Sequence, residues 1–538
     1  MTHYLLAAEA DQIQDLLFRA SHLREVVGGS QLLMRFGDDT QPGRAGSALH
    51  QLLARYTPTP QIVTAGGGSF RLLFEREDQA HDFGRKLAEL YRLTTGGSLS
   101  VAQPVAYTTD YQQASEAANR GLRQAKRGGS AGQTTAHLPF TALCASCGTA
   151  LALEHDKRVS QETREQYLCQ FCLAKGAARS RSARPNEFLQ SFYEKVVGAD
   201  NLSDYQWPGH STDDTPDPTE DVARLDPRRY VAYLVADGNN LGKIFGKCDQ
   251  AQASDLSQTL LDTLRNCLAE PTQMLMAAQP EPRDKNFIPV LPLILGGDDL
   301  FALLPAPWAL DFARAFCEIY ETAMQSLAAQ YEVEPPTMAA AVVICKASYP
   351  YYLAHQAGEI RLTEAKKMAK QLALSEQIHS SVVNFEIIIS SQLPTSSKTG
   401  NGFRPTLRPY WVQPGVPAKW GLPLATLLAQ REPLAVLPHR RHAQLRRYFD
   451  QLRGLDNDQA QQRLPRLEQL LSRIGRSPEN RERVEQVLAA LGGSPAEGWR
   501  RTISRYHNPT WEGHGLPDLL DAWDFSYKID QPRQTEEE

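Results

Sequence analysis

The stretch from Tyr230 to Ile389 constrains the fold of this 538-residue chain more than any other, because strand and helix patterns alternate along it. It begins with YVAYLVA, a nearly continuous apolar strand, followed by the turn DGNNLGKIFG and a helix pattern. Two further strand patterns, FIPVLPLIL and LFALL, flank the tight turn GGDD. Helix, strand, helix and strand patterns complete the stretch. This βαββαβ order, with one additional αβ element, predicts a ferredoxin-like antiparallel sheet with helices on one face.

Three acidic residues lie at one edge of the predicted sheet. The strand order places Asp237, which ends the first strand, beside Asp298 and Asp299 in the GGDD turn. Packed carboxylates repel one another, and burial raises their pKa values unless cations offset the charge. Two divalent cations, Mg²⁺ or Mn²⁺, held about 3.5–4 Å apart by carboxylate oxygens would activate an attacking hydroxyl and stabilise a leaving pyrophosphate. We therefore expect Asp237, Asp298 and Asp299 to be both catalytic and metal-binding.

A simpler interpretation is that Asp298 and Asp299 form a solvated turn, since Gly and Asp are common turn residues. The second turn, DGNN, ends another strand at the expected position, and this favours a functional site. Glycines in both turns would let the backbone approach phosphates closely. We expect phosphate contacts from Gly238, Gly242, Lys243, Gly296 and Gly297, and from Lys366 or Lys367 on a later helix.

Four cysteines form two C-x-x-C pairs in CASCGTALALEHDKRVSQETREQYLCQFC. Each pair lets two thiolates from one tight turn reach one ion, and the intervening stretch brings the second turn round to complete a tetrahedral site. Cys144, Cys147, Cys169 and Cys172 therefore predict a closed, structural Zn²⁺ knuckle without an open coordination position. Free buried thiols or a redox pair are the alternatives.

Charge and composition exclude several classes of protein. With 57 Lys and Arg against 62 Asp and Glu, the net charge of -5 argues against a uniformly basic nucleic-acid coat. No segment approaches the roughly 20 apolar residues of a membrane span, and the N-terminus lacks a signal-peptide pattern. Eight cysteines, half of them in the paired motif, indicate a reducing compartment. We expect a cytoplasmic protein without a membrane partner.

The remaining patterns divide the chain into segments. We expect a first domain, a zinc-binding and helical insert, a linker, a catalytic domain and a helical C-terminal domain, at residues 1–140, 141–202, 203–228, 229–395 and 396–538. In the first domain, Gly28 and Gly29 are expected to stop a helix. In the last domain, the basic stretch HRRHAQLRRYFDQLRGL predicts either a solvated helix face or a contact with RNA or protein.

The first domain repeats the catalytic domain in outline. AEADQI aligns with ADGNNL, and AGGGSF aligns with LGGDDL. Glu9 therefore corresponds to Asp237, while Gly68 and Ser69 correspond to Asp298 and Asp299. Without the hairpin carboxylates the first half cannot hold two metal ions, so we expect it to be non-catalytic. Whether it lines the nucleotide site across a pseudo-twofold interface is left open.

Together these motifs resemble a known family. The GGDD hairpin, the ADGNNLGK loop, the four-cysteine knuckle and the helical C-terminal region resemble the large polymerase-like subunit of type III CRISPR effector complexes, over essentially the whole chain. The resemblance implies two ferredoxin-like palm domains, the second of which converts ATP with Mg²⁺ into cyclic oligoadenylate messengers of antiviral defence. It implies an ATP-binding loop made of Gly238, Asn239, Asn240, Leu241, Gly242 and Lys243. The implied partners are other effector subunits, guide RNA and target RNA.

Two features depart from the family's pattern. Many members carry an N-terminal HD nuclease domain, whereas here the first palm begins almost at Met1 and the dipeptides at His81 and His155 are isolated. We therefore expect no HD-type DNA cleavage by this chain. Asn239 stands where many relatives have a further acidic residue, which leaves the affinity of the second metal open.

Two kinds of function remain at this point. One is a nucleotidyltransferase that is switched on when an RNA-guided complex captures target RNA, and the other is a non-catalytic scaffold of that complex. Retention of Asp237, Asp298 and Asp299 favours the enzyme, because a scaffold has no reason to keep a repulsive cluster. A template-dependent polymerase, a diguanylate cyclase or another cyclic-nucleotide synthase of different base choice would share the metal chemistry.

Overall fold

The computed structural model describes residues 2–20, 22–37, 47–66, 68–127, 141–156, 166–178, 185–210, 217–279, 286–296, 298–389, 402–474, 477–505 and 510–532. Two sheets flanked by helices dominate these residues, which confirms the predicted α+β fold class with its palm-like sheets. In the part of the chain that is described, no helix is both long and apolar enough to span a bilayer.

The first sheet has five antiparallel strands in the order β2-β3-β1-β4, with β5 pairing with the start of β1. Its strands are β1 (His3–Asp11), β2 (Gln61–Gly66), β3 (Ser69–Phe74), β4 (Ser98–Val101) and β5 (Val105–Tyr107). Its helices are α1 (Ile13–Phe18), α2 (Leu23–Gly37), α3 (Ala48–Leu53), α4 (Glu77–Thr95) and α5 (Tyr111–Arg127). Alternate β1 residues face two different cores, because successive side chains of a strand point to opposite faces.

The prediction that Gly28 and Gly29 stop the first helix is wrong. α2 runs through both glycines, and the chain instead breaks earlier, between α1 and α2. A Cβ atom on Gly29 would lie 2.6 Å from Leu17 Cδ2 and 3.5 Å from Lys175 Cε. The glycine therefore serves close packing between elements, a role that has the same sequence signature as a helix stop.

The segment after the first palm holds short strands and helices. These are β6 (Glu154–Asp156), β7 (Gln166–Leu168), α6 (Gln170–Ala178), α7 (Glu187–Val197) and α8 (Pro218–Ala223). α8 lies in the stretch that we expected to be a linker, yet Val222 and Ala223 are fully buried. Trp207, in the same stretch, is also buried, and the neighbouring Gln206 forms backbone hydrogen bonds with residues 286 and 288. The described part of this stretch is therefore packed onto the second palm.

The second sheet has the order β13-β12-β11-β8-β10-β9. Its strands are β8 (Tyr230–Asn239), β9 (Leu291–Gly296), β10 (Asp299–Pro305), β11 (Thr337–Lys346), β12 (Val382–Ile387) and β13 (Tyr410–Trp411). Its helices are α9 (Leu241–Phe245), α10 (Gln250–Ala277), α11 (Ala309–Gln330) and α12 (Tyr351–Glu376). The inner order β9-β10-β8-β11 matches β2-β3-β1-β4 of the first sheet, and β12 joins β11 in parallel as the additional αβ element.

The C-terminal part is mainly helical. It contains α13 (Leu424–Ala429), α14 (Arg431–Leu434), α15 (His439–Asp450), α16 (Asn457–Gln461), α17 (Leu464–Ile474), α18 (Pro478–Leu491) and α19 (Leu516–Asp521), with a hairpin of β14 (Arg501–Ile503) and β15 (Trp511–Gly513). On the basic helix α15, Leu445 and Phe449 are fully buried, while Arg446 pairs with Asp521. The apolar side of this helix therefore packs inward, as its pattern predicts.

Candidate functional site

The strand register brings the three predicted aspartates together. β10 pairs with β8 so that Asp299 stands directly opposite Asp237. Asp298 precedes Asp299 in the hairpin, and its carbonyl oxygen accepts a hydrogen bond from the Gly238 amide at 3.2 Å. The apolar runs on both sides of GGDD are the cause, because they form the central strands β9 and β10 and leave the aspartates at the strand ends.

Gly238 is required by packing around the hairpin. A Cβ atom at this position would lie 2.8 Å from Leu241 Cδ1, 3.0 Å from Asp298 Cβ and 3.2 Å from the Tyr320 hydroxyl. By contrast, a Cβ atom on Gly242 would meet nothing within 4 Å. Of the two predicted phosphate-contacting glycines of this loop, Gly238 therefore packs against the aspartates, while Gly242 leaves open space.

Burial and mutual repulsion raise the pKa values of the hairpin carboxyls. The pKa of Asp298 rises to about 6, chiefly because the side chain is buried and next because Asp237 is close. The pKa of Asp299 rises to about 8, again chiefly through burial and then through Asp298 and Asp237. One cation offsets part of this repulsion, since Lys366 Nζ lies 2.7 Å from Asp237 Oδ2. Strongly perturbed carboxyls of this kind are typical of functional sites.

The donor set of the hairpin fits a hard divalent cation, because clustered carboxylate oxygens are the ligands that Mg²⁺ and Mn²⁺ prefer. The carboxylates are nevertheless spread more widely than the knuckle thiols. Among the described residues, only the four cysteines bring three or more possible ligand atoms within 4.8 Å of one another. The ion pair between Lys366 and Asp237 also occupies one carboxylate oxygen. Cation binding would therefore require the aspartates and Lys366 to adjust.

A cavity of about 690 Å³ lies between the two palms and reaches the hairpin. The second palm contributes Asp298, Asp299 and Gly296 to its wall, together with Leu241 and Gly242 from the loop after β8. The first palm contributes residues of β1, α1, the β2–β3 hairpin and α5. They include Glu9, Gln12, Ile13, Gln14, Asp15, Ser69, Arg71, Tyr111, Ser115 and Asn119. The volume falls in the range of ordinary ligand sites, about 300–1,000 Å³.

Several of the other predicted nucleotide contacts do not line the cavity. Lys243 does not line the cavity, and its Nζ lies 2.9 Å from Glu334 in an exposed ion pair. Asn239 Nδ2 donates to Thr337 Oγ1 at 3.2 Å, while Asn240 adopts a left-handed backbone conformation ahead of α9. Lys366 reaches the cluster through Asp237. Gly297 lies outside the described residues.

Arg71 is a residue that sequence reasoning missed. This arginine lines the cavity, and its guanidinium donates to the neutral oxygens of Ser69 (3.1 Å), Phe70 (3.1 Å) and Asn119 (2.8 Å). Within the described ranges, no carboxylate lies at ion-pair distance from it, and burial lowers its pKa. A positive side chain inside the strand pattern FRLLF is the signal that could have drawn attention to it.

The structure repeats the local geometry of the hairpin in the first palm. The Ala10 amide donates to the Gly68 carbonyl at 2.8 Å, as the Gly238 amide does to Asp298, and Glu9 stands opposite Ser69 as Asp237 stands opposite Asp299. The flanking helices match as well. Lys126 of α5 pairs with Glu9 at 3.0 Å, in the way that Lys366 of α12 pairs with Asp237. The aligned motifs of the two halves thus occupy equivalent backbone positions.

The four-cysteine knuckle is closed and mostly buried. Cys144, Cys169 and Cys172 are each no more than 2% exposed, and all four sulfur atoms converge. Cys147 Sγ lies 3.9 Å from Cys169 Sγ, and β6 pairs with β7 beside the cluster. Four convergent sulfurs, with no carboxylate among the ligands of the cluster, fit a structural Zn²⁺. The arrangement is consistent with the predicted knuckle.

The second palm matches a known protein family. Residues 230–374 match the family model described as Cas10/Cmr2, second palm domain, which confirms the resemblance for that segment. No curated protein matches the chain. The chain is similar to a Csm1-Csm4 cassette in complex with cA4, at 12% identity and a TM-score of 0.42, over 71% of this chain and 54% of that chain.

Two further solved structures are similar to a comparable degree. For the apo Csm1-Csm4 cassette the identity is 14% and the TM-score 0.43, over 71% of this chain and 54% of that chain. For Csm1 of T. onnurineus the identity is 13% and the TM-score 0.41, over 70% of this chain and 52% of that chain. The chain thus spans about half the length of the solved structures that it matches.

Proposed function

We propose that this chain is a nucleotidyl cyclase subunit of a type III CRISPR-like effector complex, which converts ATP into cyclic oligoadenylate. The single observation that carries the proposal is the meeting of Asp237, Asp298 and Asp299, the last two of which line a cavity walled by two palms. The match of residues 230–374 to the second palm domain of Cas10/Cmr2 supports it. The chain would act in the cytoplasm, with other effector subunits, guide RNA and target RNA as partners.

In this proposal Asp237, Asp298 and Asp299 hold Mg²⁺ or Mn²⁺. When bound, such ions lower the pKa of an attacking hydroxyl and neutralise a leaving pyrophosphate. The aspartates must be deprotonated to serve as ligands, and the raised pKa values of Asp298 and Asp299 mean that these two hold protons more tightly and release them when the site fills. Lys366 then becomes available, since it is the cation that pairs with Asp237 in the present arrangement.

The cavity would orient two nucleotides toward each other. Its second-palm wall carries the aspartates, and its first-palm wall carries Arg71, whose charge is not balanced by an ion pair within the described residues. A guanidinium is well suited to phosphate oxygens because it presents several donors in one plane. Holding a 3′-hydroxyl near an α-phosphate lowers the entropic part of the barrier to bond formation. The knuckle with Cys144, Cys147, Cys169 and Cys172 would hold structural Zn²⁺.

The test is incubation of the full chain with labelled nucleotides. ATP, GTP, CTP or UTP is supplied with Mg²⁺ or Mn²⁺, with the chain alone and assembled with its effector subunits, guide RNA and target RNA. Products are identified by mass spectrometry. The double variant Asp298→Ala, Asp299→Ala is compared with Asp200→Asn, which changes an exposed acidic residue that does not line the cavity.

Cyclic or linear oligoadenylates that disappear only in the double variant are the expected result. Product from another nucleotide would change the base preference and leave the metal chemistry in place. If no nucleotide yields product, even with target RNA present and zinc bound, the chain is a scaffold and the proposal fails.

A further inference from the structure

The short helix α1 lies where the zinc knuckle, the second palm and the cavity meet. Its first turn and the residue before it line the cavity, through Gln12, Ile13, Gln14 and Asp15. Its last turn contacts the knuckle and the second palm. The position of this one helix therefore sets part of the first-palm wall.

α1 cannot hold its own conformation. It contains six residues, whereas isolated helices shorter than about 12–15 residues are marginal in water. Gln12, at its N-terminus, has a left-handed backbone and makes no side-chain capping hydrogen bond. Because local interactions are insufficient, contacts from other elements must keep the helix in place.

One of these contacts comes from a buried cation of the knuckle. Lys175 is 4% exposed and lies on α6, three residues after Cys172. Its Nζ donates to the Leu16 carbonyl in the last turn of α1, at 2.6 Å. A cation at the C-terminal end of a helix satisfies free carbonyl groups and complements the helix dipole. Leu17 packs against Gly29 beside the same lysine.

The negative charge of the knuckle favours the charged form of Lys175 at its buried position. Burial lowers the pKa of Lys175, and the opposing influences come from Cys172, Glu25 and other knuckle thiols. A Zn²⁺ held by four thiolates carries net negative charge, which a nearby ammonium offsets. The lysine is thus influenced by the charge of the cysteine cluster while its ammonium donates to the Leu16 carbonyl of α1.

The second palm fixes the opposite side of the same segment. Phe18 stacks on His355 at a ring distance of 4.1 Å and meets Phe301 edge to face at 4.9 Å. The Tyr351 hydroxyl donates to the Ala20 carbonyl just after α1. Contacts from the knuckle and from the second palm therefore act on the same short segment, residues 16–20, and the cavity lies at the other end of the helix.

We propose that Lys175 is a positioning residue that ties the zinc knuckle to α1, so that loss of the lysine or of zinc loosens the first-palm wall of the cavity. The inference rests on the proposed function for the identity of the ligand, a nucleotide. It assigns the knuckle a role in ligand binding that acts through α1. Lys175 itself touches no ligand.

The experiment compares Lys175→Met with Lys195→Met in the full chain. Lys195 is an exposed lysine of the same insert and serves as the matched control. Zinc content is measured by mass spectrometry, amide hydrogen exchange is followed in residues 12–18, and affinity is titrated with a non-hydrolysable ATP analogue. Wild-type protein treated with a zinc chelator forms a further arm, and Lys175→Arg tests whether a cation restores the contact.

We expect Lys175→Met to keep its zinc, to exchange faster in α1 and to bind the analogue about tenfold more weakly, the effect of losing a hydrogen bond from a charged donor. Its KM should rise with kcat nearly unchanged, and chelation should reproduce the faster exchange. Lys175→Arg should recover part of the protection.

Unchanged exchange in α1 of a zinc-loaded Lys175→Met variant would overturn the inference. So would faster exchange spread evenly over the chain, because that result indicates general destabilisation. If the wild type binds no nucleotide while α1 still depends on Lys175, the proposed function fails and the mechanical link between knuckle and helix stands.

Discussion

At the scale of single residues, Asp299 is a hairpin carboxyl whose ionised form is unfavourable in the folded protein. It faces Asp237 across two strands, and its pKa rises to about 8 because of burial, Asp298 and Asp237. A carboxyl whose folded-state pKa lies above its unfolded value binds its proton more tightly in the folded state. Its contribution to stability is therefore present below the unfolded pKa, near 3.8, and is lost as the pH rises through the folded value.

Asp299→Asn should accordingly raise the Tm near pH 8 when divalent cations are absent, and should change it little near pH 4. A gain of about 1 kcal/mol corresponds to about 2–4 °C in a domain of 150–250 residues. Thermal unfolding by circular dichroism, in buffer stripped of Mg²⁺ and Mn²⁺ by a resin, measures it. Asp200→Asn is the control and should shift the Tm at neither pH. Equal Tm values for Asp299→Asn and wild type near pH 8 would contradict the charge argument.

Arg71 is the partly buried cation of the first palm that lines the cavity. Replacing it by Met keeps most of its volume and removes a cation whose hydrogen bonds go to Ser69, Phe70 and Asn119. We expect the affinity for a non-hydrolysable ATP analogue to fall about tenfold or more, because a charge-assisted hydrogen bond contributes about 1.5–3 kcal/mol. Calorimetric titration measures this. Arg120→Met, at an exposed site on α5, should bind as the wild type does. A similar loss in both variants would assign the effect to overall charge.

At the scale of elements, the two hairpins show what a pattern predicts and what it leaves out. The apolar runs around GGDD predicted β9 and β10, and the register that followed placed Asp299 against Asp237. The same reasoning failed at Gly28 and Gly29, because a glycine needed for close packing and a glycine that ends a helix look alike in sequence. Arg71 was missed because its cavity exists only once two distant domains meet.

Gly238 and Gly242, which follow each other closely after the acidic residue Asp237, differ in the space around them. Gly238→Ala would place a methyl group 3.0 Å from Asp298 Cβ and 2.8 Å from Leu241 Cδ1, so the hairpin must shift. We expect a lower Tm, in line with the 1–3 kcal/mol or so that overpacking typically costs. Gly242→Ala is the matched control, because its methyl group enters open space within α9. Its Tm should equal or exceed that of the wild type. If both variants unfold at the wild-type temperature, the hairpin tolerates the displacement.

At the scale of the whole molecule, the cavity depends on how the palms are joined. Phe18 extends from the first palm into a cluster with Phe301 and His355 of the second. The Ser30 hydroxyl donates to the Leu293 carbonyl, which adds a contact between α2 and β9. These interactions are long-range in sequence, so no local pattern predicted them. Length and composition predicted only that the chain has several hydrophobic cores, and not how they are joined.

Phe18→Ala should weaken the junction between the palms. We expect a loss of about 2 kcal/mol of stability, less than the 3–5 kcal/mol typical of a fully buried Phe, because Phe18 is only partly buried. Thermal unfolding followed by intrinsic fluorescence measures the shift. Tyr352→Ala removes an aromatic ring that is 47% exposed and should leave the transition in place. Equal stability of the two variants would show that other contacts hold the palms together.

The same amide-to-carbonyl hydrogen bond forms in both halves, from Ala10 to Gly68 and from Gly238 to Asp298. The two halves therefore share a backbone geometry but differ in the charge of their hairpin side chains. Two equal halves would allow bond formation in either direction across the cavity. Here the hairpin acids Asp298 and Asp299 lie on one side, while the uncharged hairpin residue Ser69 lies with Arg71, Glu9 and Asp15 on the other. On the proposed function, the reacting phosphate would lie on the side of the hairpin acids. Successive additions would then share a single polarity, and the product would grow in one direction.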